Sequence, residues 1–64
     1  MDILGLRRYC ITTVQQNPQL EEEVVGLFNL CISEIEEGGS QPHEIELCIS
    51  SIEELVKESS QVEF

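Results

Sequence analysis

The sequence predicts an all-α domain of three helices, and three observations lead there. Apolar residues recur at helical spacing on both sides of Gly38-Gly39. Asn17-Pro18 and the twin glycines cut the chain into three such segments. The apolar positions also mirror one another about the glycine break: Ile35 answers Ile45, Cys31 answers Cys48 and Ile49, Phe28 answers Ile52, and Val24 answers Leu55 and Val56. Two helices of equal rise that turn back near residue 40 pair their side chains in this way. Helices are expected over residues 3–16, 18–37 and 42–58, the last two as an antiparallel hairpin.

Asp2 caps the expected first helix, with Ile3, Leu6, Cys10 and Val14 on one line and Leu4 and Ile11 widening it. Gly5 and the β-branched Thr12 and Thr13 weaken it, so it depends on the hairpin for support. The residue before a proline avoids the α region, while Pro itself suits the first helical position. Asn17-Pro18 therefore ends one helix and starts the next, with Asn17 as its cap. Glu21, Glu22 and Glu23 follow where the helix dipole favours negative charge.

The second helix carries a main ridge of Leu20, Val24, Leu27, Phe28, Cys31 and Ile35, a second ridge of Val25 and Ile32, and Leu30 on the other flank. That arc is wider than one neighbour needs. Either this helix lies between the other two, or part of its surface is shared with a second copy. Gly38 is the natural left-handed residue after a helix. Ser40 or Gln41 then caps the third helix, and Glu44 is placed to close a capping box. Its inward residues are Ile45, Cys48, Ile49, Ile52, Leu55 and Val56, while Leu47 points away. Residues 59–64 read as a frayed tail on which Val62 and Phe64 can still dock.

Sixty-four residues make a single domain, 1–64, with a small core, so self-association as a dimer is expected. Thirteen acidic against three basic residues give a formal charge of −10. Phosphate binding rests on Lys and Arg, so direct nucleic-acid binding is excluded, and an anionic membrane surface is disfavoured for the same reason. A basic protein surface is the favoured partner. At 41% apolar residues the chain is too hydrophobic for a disordered acidic tail. No stretch approaches the ~20 apolar residues of a membrane span, and no basic start with an apolar run marks a secretion signal. Three cysteines then read as reduced thiols in a cytoplasmic setting.

Cys10, Cys31 and Cys48 fall one to a helix on the inward line, which raises a three-thiolate metal site. No C-x-x-C or Cys/His spacing accompanies them, and apolar surroundings oppose the thiolate, so core packing is the expectation and no metal or cofactor is assigned. Cys31 and Cys48 are expected to face each other, close enough for an adventitious oxidative crosslink. His43, beside Ser40 and Glu44 at a helix start, lacks a nucleophile elbow, a phosphate loop or a zinc-protease motif, so the chain is not expected to be an enzyme. The Asp/Asn-rich loop that would hold calcium is missing. Arg7 and Arg8 read as partners for nearby glutamates.

Glu36 and Glu37 have no explanation in the helix dipole, because negative charge at a helix C-terminus is unfavourable. With the hairpin closed, Glu34, Glu36, Glu37, Glu44 and Glu46 crowd one end, as an ordinary solvated face or as an acidic patch for a protein partner. Val25, Leu30, Ile32 and Leu47 form the expected self-association surface. The functional expectation is a non-enzymatic, acidic protein–protein interaction module acting as an adaptor or regulator. Two alternatives are an inhibitor or immunity-type protein whose acidic patch blocks a basic nucleic-acid-binding surface, and a structural oligomerisation module. The Glu21-Glu22-Glu23 run, the glycine break and the stripe spacing over residues 21–56 resemble those of short enterobacterial connector proteins of the biofilm and two-component regulatory type. The same pattern fits many helical hairpins, so neither family nor residue roles are taken from it.

Overall fold

The structure, a computed structural model, describes residues 1–60; Val62 and Phe64 lie outside the described residues. The chain forms helix α1 (Ile3–Gln16), a short 3-10 turn (Pro18–Leu20), helix α2 (Glu21–Glu36) and helix α3 (Gln41–Ser60), with no strand among the described residues.

Asp2 is extended and its Oδ1 accepts the Gly5 N–H at 2.8 Å, so α1 starts on the expected cap. At its other end Asn17 works backwards. Its backbone N–H donates to the carbonyls of Thr13 and Val14, and its Nδ2 donates to Thr13 O at 3.0 Å. The side chain therefore closes α1 and does not cap the next helix, contrary to the sequence expectation. Pro18 opens a tighter turn instead, closed by the Leu20 N–H on Asn17 O at 2.9 Å, and α2 begins only at Glu21. Leu20 has no capping side chain to offer. Glu21, Glu22 and Glu23 stand in the first turn of α2, where their charge opposes the positive end of the helix dipole.

The end of α2 is a Schellman motif. Gly38 N–H donates to Ile35 O at 3.0 Å, and Gly39 N–H donates to Glu34 O at 2.9 Å. Gly38 has φ +109°, a region an L side chain rarely enters. Gly39 is required for a different reason: a Cβ there would lie 2.9 Å from Glu34 O and 3.0 Å from Glu44 Oε2. Because α3 starts at Gln41, Glu44 stands one position past the capping-box place, and its side chain lies against Gly39 instead. α3 also runs on to Ser60, past the expected end at 58. Ser59 is half-buried and accepts a hydrogen bond from Gln19 Nε2 at 3.0 Å, which ties the end of α3 to the 3-10 turn.

One core cluster joins all three helices: Leu6 and Cys10 from α1, Leu20 from the turn, Val24 and Cys31 from α2, and Ile45, Cys48 and Ile52 from α3. Leu6, Val24 and Ile52 are fully enclosed, one from each helix. α2 packs against both other helices, and α1 and α3 touch less extensively. Its broad apolar arc is accounted for to that extent. Thr13, expected to weaken α1, is buried, with its hydroxyl donating to Tyr9 O at 2.8 Å, so burial leaves no unsatisfied donor. Leu4 and Ile11 do not extend the inward line, being 56% and 47% exposed.

Candidate functional site

The cysteines settle into the core. All three are buried and free. The Cys48 thiol donates to the Leu27 carbonyl at 3.5 Å. Burial, with Cys31 and Cys10 adding to it, pushes Cys48 up to about 12. Burial is also the main cause that raises Cys10 and Cys31. A neutral thiol is a poor nucleophile and a poor metal ligand. Among the described residues no group of three or more His, Cys, Asp or Glu side chains is placed to hold a metal ion. His43 is exposed in the first turn of α3.

Several hollows mark the surface, and two grooves carry the exposed apolar residues of α2. The first runs along the seam of α2 and α3. Its floor holds Gly26, Leu27 and Leu55 toward one end, and Leu30, Cys31, Leu47 and Cys48 toward the other. The two hollows have volumes of about 480 and 420 Å³ and share Leu27 and Ser51, so they adjoin along the seam as one trough with two parts. Leu30 is 56% exposed and Leu47 51%. Glu34 and Glu44 stand at one end of the trough, and Glu23, Glu54 and Glu58 at the other.

The second groove lies between α1 and α2, with Ile11, Val14, Val25 and Phe28 as its apolar surface and Arg7, Gln15 and Glu21 around it. Val25 is 46% exposed. The α2 residues of the two grooves are entirely different, and at 100° per residue their centres lie roughly 140° apart around the helix.

The residues expected to form one self-association surface thus divide: Leu30 and Leu47 line the α2/α3 groove, Val25 lines the α1/α2 groove, and Ile32 is half-buried. Of the five carboxylates expected at one end, Glu34 and Glu44 line the same groove. Glu46 lines a hollow with Met1, Pro42, Ile45 and Ile49, and Glu36 and Glu37 are exposed at and just beyond the end of α2. Sequence reasoning missed Gly26, Glu23, Glu54 and Glu58 as groove residues. The signal was there in part: Glu54 and Glu58 are four apart on α3 and flank Leu55.

No helix among the described residues is long and apolar enough to cross a membrane. Comparison with known protein families, with curated proteins and with solved structures gives no match.

Proposed function

We propose that this chain is a non-enzymatic, acidic interaction module, an adaptor or regulator that binds another protein through the α2/α3 groove in a cytoplasmic setting. In this reading α2 and α3 form an antiparallel hairpin closed by Gly38-Gly39, supported by the hydrogen bonds from Cys48 to Leu27 and from Gln19 to Ser59. One observation carries the reading: Leu30 and Leu47, each more than half exposed, line the same acid-rimmed trough. Large apolar side chains gathered on one exposed surface mark an interaction site, whereas singly scattered ones do not.

Self-association is assigned to the other groove. A two-fold interface sets a patch against itself, so a patch with both charge signs suits it better than one with a single sign. The α1/α2 groove has Arg7 and Glu21 beside Ile11 and Val25, and a symmetric pair would bring Arg7 toward Glu21 of the partner subunit. Light scattering over a dilution series should show a dimer that is lost in Val25→Glu and retained in Leu47→Glu. The reverse outcome would assign pairing to the wrong face.

The partner site is tested with a photo-crosslinking residue at Leu30 in the native host, using exposed Leu4 as a control position. The expected result is an adduct with another protein at Leu30 that is absent at Leu4 and lost on Leu47→Glu. No adduct at Leu30 would overturn the assignment. The inhibitor reading draws on the same acidic character. It differs in predicting that Glu→Gln changes at 34, 36, 37, 44 and 46 abolish binding while Leu30 and Leu47 are dispensable.

A further inference from the structure

We infer that the occupant of the α2/α3 groove is a cationic amphipathic helix about three turns long, contributed by another protein. This rests on the reading of that groove as the partner site and adds the chemistry of what fills it. Three observations select the occupant. The first is dimension. From Glu23 to Glu34 the groove follows α2 for eleven residue steps, roughly 16 Å at the α-helical rise. Its apolar floor comes in two parts, around Gly26 and Leu55 and around Leu30 and Leu47. Gly26 and Leu30 are one helical turn apart. An incoming helix with apolar residues at i, i+4 and i+7 matches that spacing.

The second observation is Gly26. Glycine is unfavourable inside a helix, and the fold makes no use of it here: a Cβ added at Gly26 would meet nothing within 4 Å. Packing within this chain therefore does not require a bare backbone at that point. A second helix backbone brought close over the trough does, since a missing side chain on one helix lets another approach.

The third is charge. Glu23, Glu34, Glu44, Glu54 and Glu58 border the groove, and no Lys or Arg lines it. A second copy docked there by symmetry would set these carboxylates against their own kind. An anionic lipid surface is repelled likewise. A helix with an apolar stripe flanked by Lys and Arg covers the floor and neutralises the rim together.

The probe is a synthetic peptide of about fourteen residues, enough for the groove plus one turn, with leucines at i, i+4, i+7 and i+11 and lysines or arginines between them. Fluorescence anisotropy should show saturable binding. Exchanging the basic residues for glutamate, or scrambling the leucine spacing, should weaken binding by about tenfold or more. Gly26→Gln should weaken it to a similar degree while leaving the thermal melt of the free protein unchanged or raised. Equal binding of the scrambled peptide, or undiminished binding to Gly26→Gln, would reduce the effect to general attraction of cations and overturn the inference. A Leu30 crosslink to a protein lacking such a helix would sink this inference and leave the interaction-module reading standing. A Leu30 crosslink between two copies of the chain would sink both.

Discussion

The same substitution, glycine to alanine, should have opposite signs at three positions, and the structure supplies the reason at each. At Gly26 the added methyl meets nothing within 4 Å, so the gain in helix propensity and the loss of unfolded-state freedom act alone. Gly26→Ala is expected to stabilise by about 0.4–1 kcal/mol. At Gly38, φ +109° forces an L residue into the left-handed half of the map, and Gly38→Ala should cost roughly 1–2 kcal/mol. At Gly39 the methyl would sit 2.9 Å from the Glu34 carbonyl oxygen, the atom that the Gly39 N–H itself holds at 2.9 Å. Relieving that overlap means giving up the Schellman hydrogen bond, worth about 0.5–1.5 kcal/mol net. For a domain of this size 1 kcal/mol moves the melting temperature by about 4–8 °C, so Gly26→Ala separates clearly from the other two. Urea denaturation followed by far-ultraviolet circular dichroism, at one fixed protein concentration, reads the free energies without a change in oligomer population. Gly38→D-Ala in a synthetic chain sharpens the test, because a D residue accepts positive φ. It should recover the stability that L-alanine loses. If L- and D-alanine at position 38 are equivalent, the left-handed C-cap does not exist in solution and the turn between α2 and α3 is wrongly described.

Ile52 is fully enclosed, so Ile52→Ala should cost about 2–5 kcal/mol. Total stability at this length is on the order of 3–10 kcal/mol, so a large share of it is lost and the circular-dichroism melt should fall by roughly 8 °C or more; an unmoved melt would contradict the core assignment. Cys48, pushed up to about 12 in the fold against an ordinary 9.0, favours the folded state in its neutral form. That contribution is complete below pH 9 and is lost as the pH rises from 9 toward 12. A pH titration by circular dichroism should show the alkaline unfolding limb moving upward in Cys48→Val, and an unmoved limb would mean that the thiol is not what fails. Replacing the Asp2 cap by alanine should cost about 1 kcal/mol in the same urea assay, and no change would show that Gly5 N–H is satisfied by solvent.

The helix count and the first helix were legible in the sequence because their signals are local: Asp2 as a cap, Gly38 as a left-handed stop, and apolar spacing. Where the reading failed, one side chain had two uses. Asn17 can cap the following helix or close the preceding one, and composition does not distinguish them; the backward bonds to Thr13 and Val14 won. Thr13 read as a weak helix former because propensity ignores tertiary burial, and a hydroxyl bonded to the preceding turn can be enclosed without penalty. Ser59 read as frayed because its partner, Gln19, is forty residues away in sequence. Val25, Leu30 and Leu47 read as one surface, yet they divide between two grooves, and that division depends on where α1 lies against α2. No periodicity within one helix records that. Gly26 was invisible as a site for a related reason: a glycine in a helix looks like a defect until the space above it is known to be empty.

The division of the surface has a consequence for how the proposed activities combine. Pairing through Ile11 and Val25 would use the side of α2 that faces α1, while the trough bounded by Leu30 and Leu47 opens roughly 140° around the same helix. A symmetric dimer built on the first face therefore leaves two acidic troughs open. Each is lined by glutamates and by no Lys or Arg, and each is suited to one basic helix. Two modest sites in one particle bind a partner with two such helices, or a partner that is itself a dimer, more tightly than either site alone, through effective concentration and not through any new contact. Val25→Glu separates the two effects. It should leave the affinity for a single synthetic helix unchanged, since the trough is untouched, and should abolish the additional affinity for a tandem peptide carrying two copies of that helix. Equal loss for single and tandem peptides would mean that the two faces are coupled through α2, and the picture of independent grooves would have to be abandoned.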